Sequence, residues 1–551
     1  MKNYGIYVCY QPTVVLKQEG LGRYLAAFIK GASDKDDVHF RIVCPSWSKE
    51  DLYELFESEG VSLNSVTIDA PEDQPIILKV HTFLAKLRKR KKVKKGGFVG
   101  SLLEKIRRSP FILLKRIETR VAGAYNFISL IPAALDILIL LLMFILVIPF
   151  ACVAGLLFYV LKKVRTSKVA LYAALIKRKV GGFFDNPKED GFVLNLYQSM
   201  MLAEAERMHE IIRNIKSVSA WYCPTAFWET FSDIDAPRLL CVPDVVLTRF
   251  PGGFSQIGGE RFLNTFKTIQ RTINKNEYFV TYSKDVKERT LIEHFNIEKD
   301  NVYVVNHAPN RLDTWLNVKG FNDAQASSKY YAERLLSVAL FKNRNPYVKG
   351  LSVGFKYMFY ASQFRPNKNV ISLLKAYNYL LKNKFLQHKL VLTGAPEHLQ
   401  AIPDFVKENN LERDVLFMNS LSVQELAACY KLADLAVNPT LSEGGCPFTF
   451  TEALSVGTPV VMGRIGVTEE VLTDPKLQEM TFFDPYDWKS IADKIEWALG
   501  NLDPLREVQL QTYHQLMKRT WEDVVSEHIT AMDEIADKFH ADRSNRIEQH
   551  R

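Results

Sequence analysis

The sequence predicts an α/β protein built from two Rossmann-like domains that face a cleft, and three observations lead to this prediction. The chain has 551 residues, which is too long for one hydrophobic core and indicates at least two domains. Residues 4–30 have the pattern of a buried strand, a glycine loop and a helix, and a second strand follows at residues 38–45. Another series of strands and helices begins at residue 356. Such alternation is typical of parallel sheets, whose ligands bind at the carboxyl ends of the strands.

The strand pattern breaks twice, and the breaks divide the chain. Between residues 76 and 190 the sequence is basic and apolar, unlike the segments on either side. Residues 322–336 are polar and have the composition of a linker. The first Rossmann-like domain is predicted at residues 1–75 and 191–320, on either side of the insertion at residues 76–190. A linker is predicted at residues 321–350, the second Rossmann-like domain at residues 351–505, and C-terminal helices that cross back to the first domain at residues 506–551.

The composition argues against several classes of protein. Seven cysteines are widely dispersed without a C-x-x-C pair, which disfavours a disulfide framework and a structural zinc site and favours a reducing compartment. The N-terminus lacks the apolar core of a signal peptide and is predicted to be a buried strand. The net charge of +9 includes a dense basic run from Lys86 to Lys95, a pattern typical of a nucleic-acid patch, a solvated tail or a membrane-surface anchor.

The segment 442–461 carries the clearest chemistry. Glu443 and Glu452 bracket a loop in which Gly444 and Gly445 permit close approach of the backbone to a ligand. We expect Glu452 to begin a short helix and to accept both hydroxyls of a ribose, and Glu443 to accept hydroxyls of a sugar. Free N–H groups at the helix start suit phosphate oxygens. The alternative is that Glu452 complements the helix dipole and that Glu443 is solvated.

Other candidate residues follow predicted strands. Arg365 and Lys368 lie in a loop after a strand, where fixed cations neutralise a diphosphate, although a solvated basic turn would show the same pattern. Gly394 ends a strand where the backbone can approach a flat base or a phosphate. Gly457 is expected to end the helix that contains Glu452.

These residues resemble a known family. The segments EALSVGTPVV and SVQELAACYKLADLAVNPTLSEGG are similar to retaining glycosyltransferases of the GT-B fold (group 1), which include sucrose synthases and many bacterial polysaccharide-building enzymes. The segment FYASQFRPNKNVISLLKAYNYL resembles the phosphate loop and helix of this family, and EGLGRY resembles its N-terminal glycine loop. The resemblance covers nearly all of residues 350–530 and parts of residues 1–50 and 220–310.

The resemblance implies transfer of a sugar from a nucleoside diphosphate-sugar to an acceptor hydroxyl, with retention of the anomeric configuration. It also implies that the second domain, residues 351–505, binds the nucleotide-sugar and that residues 191–320 form the acceptor side. Arg365 and Lys368 would stabilise the departing diphosphate, which would itself take the acceptor proton. Gly20 and Gly22 would let N–H groups at a helix start reach the donor phosphates. No metal or other cofactor is expected, since no D-x-D motif stands in a suitable place.

The sequence departs from the family pattern in three places. Eight residues separate Glu443 from Glu452 where the family has seven, and we place the extra residue in the loop between them. The Gly-Arg of the phosphate loop is replaced by Ser-Gln, with Arg365 as a substitute cation. A His-Asp pair of the first domain is replaced by Pro243-Asp244, which leaves Asp244 as a candidate hydrogen-bonding or acid/base group. His307 is predicted to be structural.

The insertion is predicted to bind a membrane. Residues 137–161 carry no charge and are long enough to span a bilayer, but a single crossing would separate the two parts of the first domain. We therefore expect residues 127–161 to form a re-entrant or shallow hairpin, the alternative being a buried helix pair. The basic run from Lys86 to Lys95 is then interpreted as a site for anionic lipids on the cytoplasmic face of the inner membrane, and no nucleic acid is expected.

The preferred hypothesis is a membrane-bound enzyme of cell-surface polysaccharide synthesis that extends a lipid-linked glycan. GDP-mannose or a UDP-sugar would be the donor, and mannose is favoured because VPDVVLTRFP resembles a segment of some bacterial mannosyltransferases. The alternative is an inactive relative that acts as a scaffold in a polysaccharide assembly complex. Phosphorylase chemistry would require a cofactor-lysine motif that the sequence lacks.

Overall fold

A computed structural model describes most of the chain. It covers residues 2–75 except 13, 15, 17–19, 34 and 36, and residues 192–549 except 251, 252, 255–259, 344, 345, 350, 352 and 353. Between residues 76 and 191 it describes residues 76, 78, 117, 120, 121, 124 and 130–138.

The first domain contains a seven-stranded sheet in the order β3-β2-β1-β4-β5-β6-β7, and every pairing is parallel. Strand β4 lies directly beside β1, so the segments before and after the insertion share one sheet. The strands are Lys2–Tyr7, Val38–Val43, Val66–Asp69, Val218–Cys223, Arg238–Cys241, Tyr278–Thr281 and Val302–Val304.

Helices cover both faces of this sheet, because strands buried on both sides need an apolar layer against each face. Helix α1 packs Phe28 and Ile29 into one core, and helix α3 packs Met208 and Ile212 into the other. The helices of this domain are α1 (Gly20–Gly31), α2 (Lys49–Glu59), α3 (Phe192–Asn214) and α4 (Glu260–Asn274), and a π-helical turn spans Val286–Ile292.

The second domain contains a six-stranded parallel sheet in the order β10-β9-β8-β11-β12-β13. Its strands are β8 (Tyr357–Tyr360), β9 (Lys389–Leu392), β10 (Val415–Phe417), β11 (Leu435–Asn438), β12 (Val460–Gly463) and β13 (Phe482–Phe483). Its helices are α5 (Ala324–Lys342), α6 (Val370–Asn383), α7 (Ala401–Glu408), α8 (Val423–Leu432), α9 (Phe448–Ser455), α10 (Gly466–Val471), α11 (Pro475–Thr481), α12 (Trp488–Leu499) and α13 (Leu502–Leu516). The two parallel sheets confirm the predicted α/β class.

The segment predicted to be a linker contains helix α5, which belongs to the second domain. Ala332, Leu336 and Leu340 are buried in the core of that domain, and Lys342 forms a 2.9 Å ion pair with Glu425 of α8. Apolar residues three or four positions apart form a buried stripe within a mainly polar sequence, and this stripe fixes α5 against α8.

Helix α14 (Trp521–Gln549) crosses back to the first domain. Its residues Val524 and Met532 are fully buried in the core that contains β1 and α1. Asp533 accepts hydrogen bonds of 2.7 Å from both the Lys2 ammonium and the Tyr4 hydroxyl. The C-terminal helix therefore ties the end of the chain to the first strand.

The insertion is described only in part. Residues 130–138 are helical, with Ile131, Leu135 and Leu138 more than half exposed and Asp136 paired with Arg120 at 2.7 Å. Among the described residues, no helix has the length and the apolar character needed to cross a membrane. The predicted basic lipid site, from Lys86 to Lys95, and residues 139–161 of the predicted hairpin lie outside the described residues.

Candidate active site

Loops from both sheets meet at the stretch that contains Gly444 and Gly445. A Cβ atom on Gly444 would overlap the carbonyl oxygen of Pro243, which follows β5. A Cβ on Gly445 would lie 3.0 Å from His307 Nε2, in the loop after β7. The hydroxyl of Ser283, after β6, donates a 2.8 Å hydrogen bond to the Gly444 carbonyl. We predicted that these two glycines would let the backbone approach a ligand closely. In the structure, loops of the first domain make this close contact with the glycine backbone.

Lys368 and Glu443 form an ion pair at the carboxyl ends of β8 and β11. Lys368 Nζ lies 2.5 Å from Glu443 Oε1, and each side chain is about one fifth exposed, at 20% and 18%. The 3₁₀ turn Pro366–Lys368 presents the lysine, and the amide of Asn367 donates a 3.1 Å hydrogen bond to the Ser442 carbonyl. Two of the predicted site residues are thus held together by neighbouring strands.

Arg365 places a second cation beside this pair. Its side chain is exposed, and Nη2 donates a 2.7 Å hydrogen bond to Gln363 Oε1. The positive charges of Arg365 and Lys368 oppose the upward shift of the pKa of Asp244 in the first domain, and Pro243, the residue before Asp244, lies against Gly444. The two cations are arranged to attract an anion such as a diphosphate.

Asp244 and Glu443 form a pair of carboxylates contributed by different domains. Burial of Asp244 raises its pKa above the ordinary value, and the negative charge of Glu443 raises it further, while Lys368, Arg365 and Arg249 oppose the shift. Because of this shift Asp244 holds a proton more readily than a solvated aspartate does. Because Pro243 lies against Gly444, the structure brings Asp244, predicted from the sequence with an open role, to the loop that carries Glu443.

Glu452 lies inside α9, and the prediction that it begins the helix is wrong. Helix α9 starts at Phe448, four residues earlier, because Pro447 precedes it as the N-cap with φ of −58° and no helix breaker follows. Glu452 is 7% exposed, and Asn310 Nδ2 of the first domain donates a 3.0 Å hydrogen bond to its Oε1. Burial raises the pKa of Glu452, and the charge of Arg23 in α1 opposes this shift.

Thr451 also contacts Asn310. The backbone N–H of Asn310 donates a 3.2 Å hydrogen bond to Thr451 Oγ1. The placement of the extra loop residue decides whether Thr451 or Glu452 occupies the position of the family's second glutamate. Both residues contact the same segment of the first domain. Gly457 ends α9 as predicted, with φ of +87° and its N–H bonded to the Leu454 carbonyl.

The remaining predicted glycines serve different purposes. A Cβ on Gly394 would overlap the ring of Phe364, and a Cβ on Gly22 would overlap the carbonyl oxygen of Leu16. Both glycines are therefore required by packing within the protein. Gly20 begins α1, and no described atom lies within 4 Å of a Cβ built there. Of these three positions, only Gly20 faces open space in the described part of the chain.

A second contact between the domains involves Glu470 of α10. Its carboxylate accepts hydrogen bonds from the backbone N–H groups of Lys284 (2.9 Å) and Asp285 (3.2 Å) at the start of a helical turn. Asp285 in turn forms a 2.5 Å ion pair with Arg249. These contacts lie beside the Ser283 bond, so the two domains meet along the loops that follow β5 and β6.

Sequence reasoning missed Ser283, Asn310 and Arg23, and it assigned His307 a structural role. The ring of His307 lies 4.3 Å from the ring of Phe448, and burial lowers the pKa of His307 to about 4, which keeps it neutral. Their place in the sequence could have indicated Ser283 and His307 as candidates, since each follows a strand of the first sheet. Which of these loops meets the second domain depends on tertiary structure.

Comparison with known proteins identifies the second domain. Residues 342–513 match the family described as glycosyl transferases group 1. The chain therefore carries a group 1 glycosyltransferase domain, which confirms the resemblance recognised in the sequence.

Several relatives are mannosyltransferases by name. The chain is 23% identical over 263 residues to the O-antigen chain mannosyltransferase RfbU of Salmonella typhimurium, a match that covers 47% of this chain and 61% of the relative. It is 28% identical over 178 residues to O-antigen chain mannosyltransferase B of Escherichia coli, covering 32% of this chain and 45% of the relative. The chain thus spans less than two thirds of the length of either relative.

Two solved structures superpose on nearly the full length of the chain. The N-terminal domain of trehalose-6-phosphate phosphatase from Candida albicans superposes with a TM-score of 0.54 at 9% identity, covering 97% of each chain. A glycosyltransferase from Rickettsia africae superposes with a TM-score of 0.50 at 11% identity, covering 97% of this chain and 98% of the other. At such low identity these likenesses establish the fold alone.

Proposed function

We propose that this protein is a retaining glycosyltransferase that moves a sugar from a nucleoside diphosphate-sugar to a hydroxyl of a glycan acceptor. The observation that carries the proposal is the Lys368–Glu443 pair, which lies at the carboxyl ends of two parallel strands beside Arg365. Ligands of open α/β sheets bind at this edge. The group 1 domain supports the same chemistry.

The ion pair provides a physical route for donor recognition. A bound diphosphate offers Lys368 a more highly charged partner than one carboxylate, so Lys368 exchanges Glu443 for phosphate oxygens. Glu443 then accepts hydrogen bonds from hydroxyls of the transferred sugar. Gly20, at the open start of α1, allows a further phosphate contact from backbone N–H groups.

Charge stabilisation is the main catalytic contribution that we propose. The bond between the anomeric carbon and the phosphate oxygen breaks, and a bond to the acceptor oxygen forms on the same face of the sugar. The acceptor proton passes to the departing phosphate, whose negative charge Arg365 and Lys368 stabilise. Asp244, with its raised pKa, donates a hydrogen bond to the sugar or acceptor in its protonated form. The proposed reaction uses no metal or other cofactor.

For the donor we propose GDP-mannose, with a UDP-sugar as the alternative. Two O-antigen relatives are mannosyltransferases by name. A third relative, 28% identical over 153 residues, is named as a GDP-mannose-dependent phosphatidylinositol monomannoside mannosyltransferase of Mycolicibacterium smegmatis. That last match covers 26% of this chain. The proposed ribose contact is Glu452, which would exchange Asn310 for the ribose hydroxyls when the donor enters.

For the acceptor we propose a lipid-linked glycan at the cytoplasmic face of the inner membrane. The exposed apolar residues Ile131, Leu135 and Leu138 support contact with a bilayer. The basic run from Lys86 to Lys95 supports contact with anionic lipids.

The proposal is tested by incubating the protein with a panel of nucleoside diphosphate-sugars and measuring thermal stabilisation, donor hydrolysis and the configuration of the transferred sugar. Stabilisation and slow hydrolysis with one donor, both reduced in Lys368→Ala, are expected. Stabilisation without hydrolysis or transfer would favour an inactive scaffold. An inverted product would refute the retaining mechanism.

A further inference from the structure

A hollow of about 340 Å³ lies on the second domain, over helix α6. Four lining residues belong to α6, and their consecutive spacings of three, one and four positions keep them on one side of the helix. Phe405 comes from α7 and Trp488 is the first residue of α12, and both helices pack against α6. The lining residues are Lys375, Asn378, Tyr379, Asn383, Phe405 and Trp488.

The hollow is separate from the candidate active site along the same helix. Helix α6 begins at Val370, two residues after Lys368. At about 1.5 Å per residue, Lys375 and Asn383 lie about 10 Å and about 20 Å farther along the chain than Lys368. A ligand in the hollow therefore leaves the Lys368–Glu443 pair accessible.

Aromatic side chains form much of the lining. The rings of Tyr379 and Trp488 lie 5.6 Å apart at an angle of 63°, and both side chains and Phe405 remain partly exposed. Partly exposed aromatic rings present flat apolar surfaces that pack well against another flat apolar surface. The C–H face of a pyranose sugar is such a surface, and the edge of the same ring carries hydroxyls.

Polar groups suited to hydroxyls accompany the rings. Asn378 Nδ2 donates a 3.3 Å hydrogen bond to Asn409, while Asn378 Oδ1 is buried and has no hydrogen-bond partner among the described residues. An unsatisfied buried carbonyl oxygen is costly, and a ligand hydroxyl reached by rotation of the amide would satisfy it. Asn383 and Lys375, both exposed, add donors at the rim.

We propose that this hollow is a saccharide-binding site that holds a neutral hexopyranose oligosaccharide outside the active site. The lining contains three aromatic rings, two amides, one ammonium group and no carboxylate, a combination that matches sugar hydroxyls and C–H faces without requiring a charged ligand. If the proposed function is correct, the oligosaccharide is the part of the acceptor glycan that has already been built, and only this assignment rests on that function.

The binding experiment uses the full-length protein in detergent and α-linked mannotetraose as the probe, with saturation-transfer NMR and titration of tryptophan fluorescence. Trp488→Ala and Tyr379→Ala are each expected to weaken binding about tenfold, because each removes one stacking surface. Trp497→Ala is the matched control, since Trp497 lies on the same helix, is 38% exposed and has Lys494 Nζ 5.1 Å from its ring centre. It should bind the probe as the wild type does.

Two further variants test whether saccharide binding is independent of donor binding and whether a loss of binding reflects misfolding. Lys368→Ala should lose donor binding yet keep the affinity for mannotetraose. Trp488→Phe should keep the melting temperature of the wild type and part of its affinity. The proposal is overturned if the wild type binds neither mannotetraose nor maltotetraose, if Trp488→Ala binds as the wild type does, or if Lys368→Ala abolishes probe binding. Displacement of the probe by GMP would overturn it in favour of a nucleotide site.

Discussion

The hydroxyl of Ser283, in the first domain, donates a 2.8 Å hydrogen bond to the carbonyl oxygen of Gly444, in the second. Gly444 directly follows Glu443, whose carboxylate pairs with Lys368. The first domain thus holds the backbone next to a proposed sugar-binding group. Any motion that separates the domains must break this bond or move the loop, so the geometry around Glu443 depends on how the domains are arranged.

Loss of this contact should affect turnover more than donor affinity. Ser283→Ala removes the bond to Gly444 and also the 3.2 Å bond that Ser283 Oγ accepts from the Val286 N–H. We expect kcat to fall up to about tenfold and stability to fall by about 1 kcal/mol. Ser283→Thr, which keeps the hydroxyl, is the control. Equal kcat values for Ser283→Ala and wild type would show that the contact has no role in catalysis.

Removal of the Lys368 ammonium should weaken donor binding. Lys368→Ala is expected to cost about 1.5–3 kcal/mol of binding free energy, the amount typical of a charge-assisted hydrogen bond. Calorimetric titration with GDP measures it. Lys476→Ala, at an exposed position of α11, is the control and should bind GDP as the wild type does. Unchanged affinity and rate in Lys368→Ala would refute the phosphate assignment.

Glu443 and Glu452 should have different phenotypes. Glu443→Gln should depress kcat more than it weakens donor binding, because Glu443 is assigned to the transferred sugar. Glu452→Gln should chiefly weaken donor binding, because one acceptor oxygen for the ribose is lost. Steady-state kinetics with GDP titrations separate the two effects. If Thr451→Val weakened donor binding and Glu452→Gln did not, Thr451 would hold the family position and our placement of the extra loop residue would be wrong.

Asp244 should make stability depend on pH. Its pKa is raised in the folded protein, so between the unfolded and folded pKa values the native state binds more protons than the unfolded state, and stability falls as pH rises through this window. Asp244→Asn removes this fall, and its stability relative to wild type should increase as the pH rises above about 4. Thermal unfolding at several pH values measures this. Asp493→Asn, at an exposed position of α12, is the control. A stability of Asp244→Asn that falls relative to wild type as pH rises would contradict the assignment.

The apolar helix at residues 130–138 should help to anchor the protein. Burial of apolar side chains is worth about 0.8 kcal/mol per CH₂ group, so hydrophobic contact should resist high salt while a purely ionic contact would not. Wild-type protein should stay in the membrane fraction at high salt and leave it in detergent. The triple variant Ile131→Ser, Leu135→Ser and Leu138→Ser should be released more readily, whereas Leu63→Ser, at a 45% exposed position outside the insertion, should not. Full release of the wild type by salt would refute a hydrophobic anchor.

The sequence was sufficient to predict both sheets and the family of the second domain. Strands β1 and β8 are short apolar runs followed by glycine- or cation-bearing loops and then helices, and this local pattern specifies parallel βα units. The segment from Glu443 to Val461 indicates the family because its glycines, proline and glutamates stand at fixed spacings within a short stretch of sequence. The polar composition of residues 322–336, in contrast, concealed the buried stripe of α5.

The sequence by itself determined which strand ends carry Arg365, Lys368, Glu443 and Asp244, because the position of a strand along the chain and the chemistry of the loop that follows it are local properties. Only the tertiary structure decided that Gly444 rests on Pro243 and Ser283, that Glu452 is buried against Asn310, and that Asp244 lies at the loop that carries Glu443 of the other domain. These contacts join residues far apart in the chain. Their geometry is set by the packing of one sheet opposite the other, and no short sequence pattern encodes that arrangement.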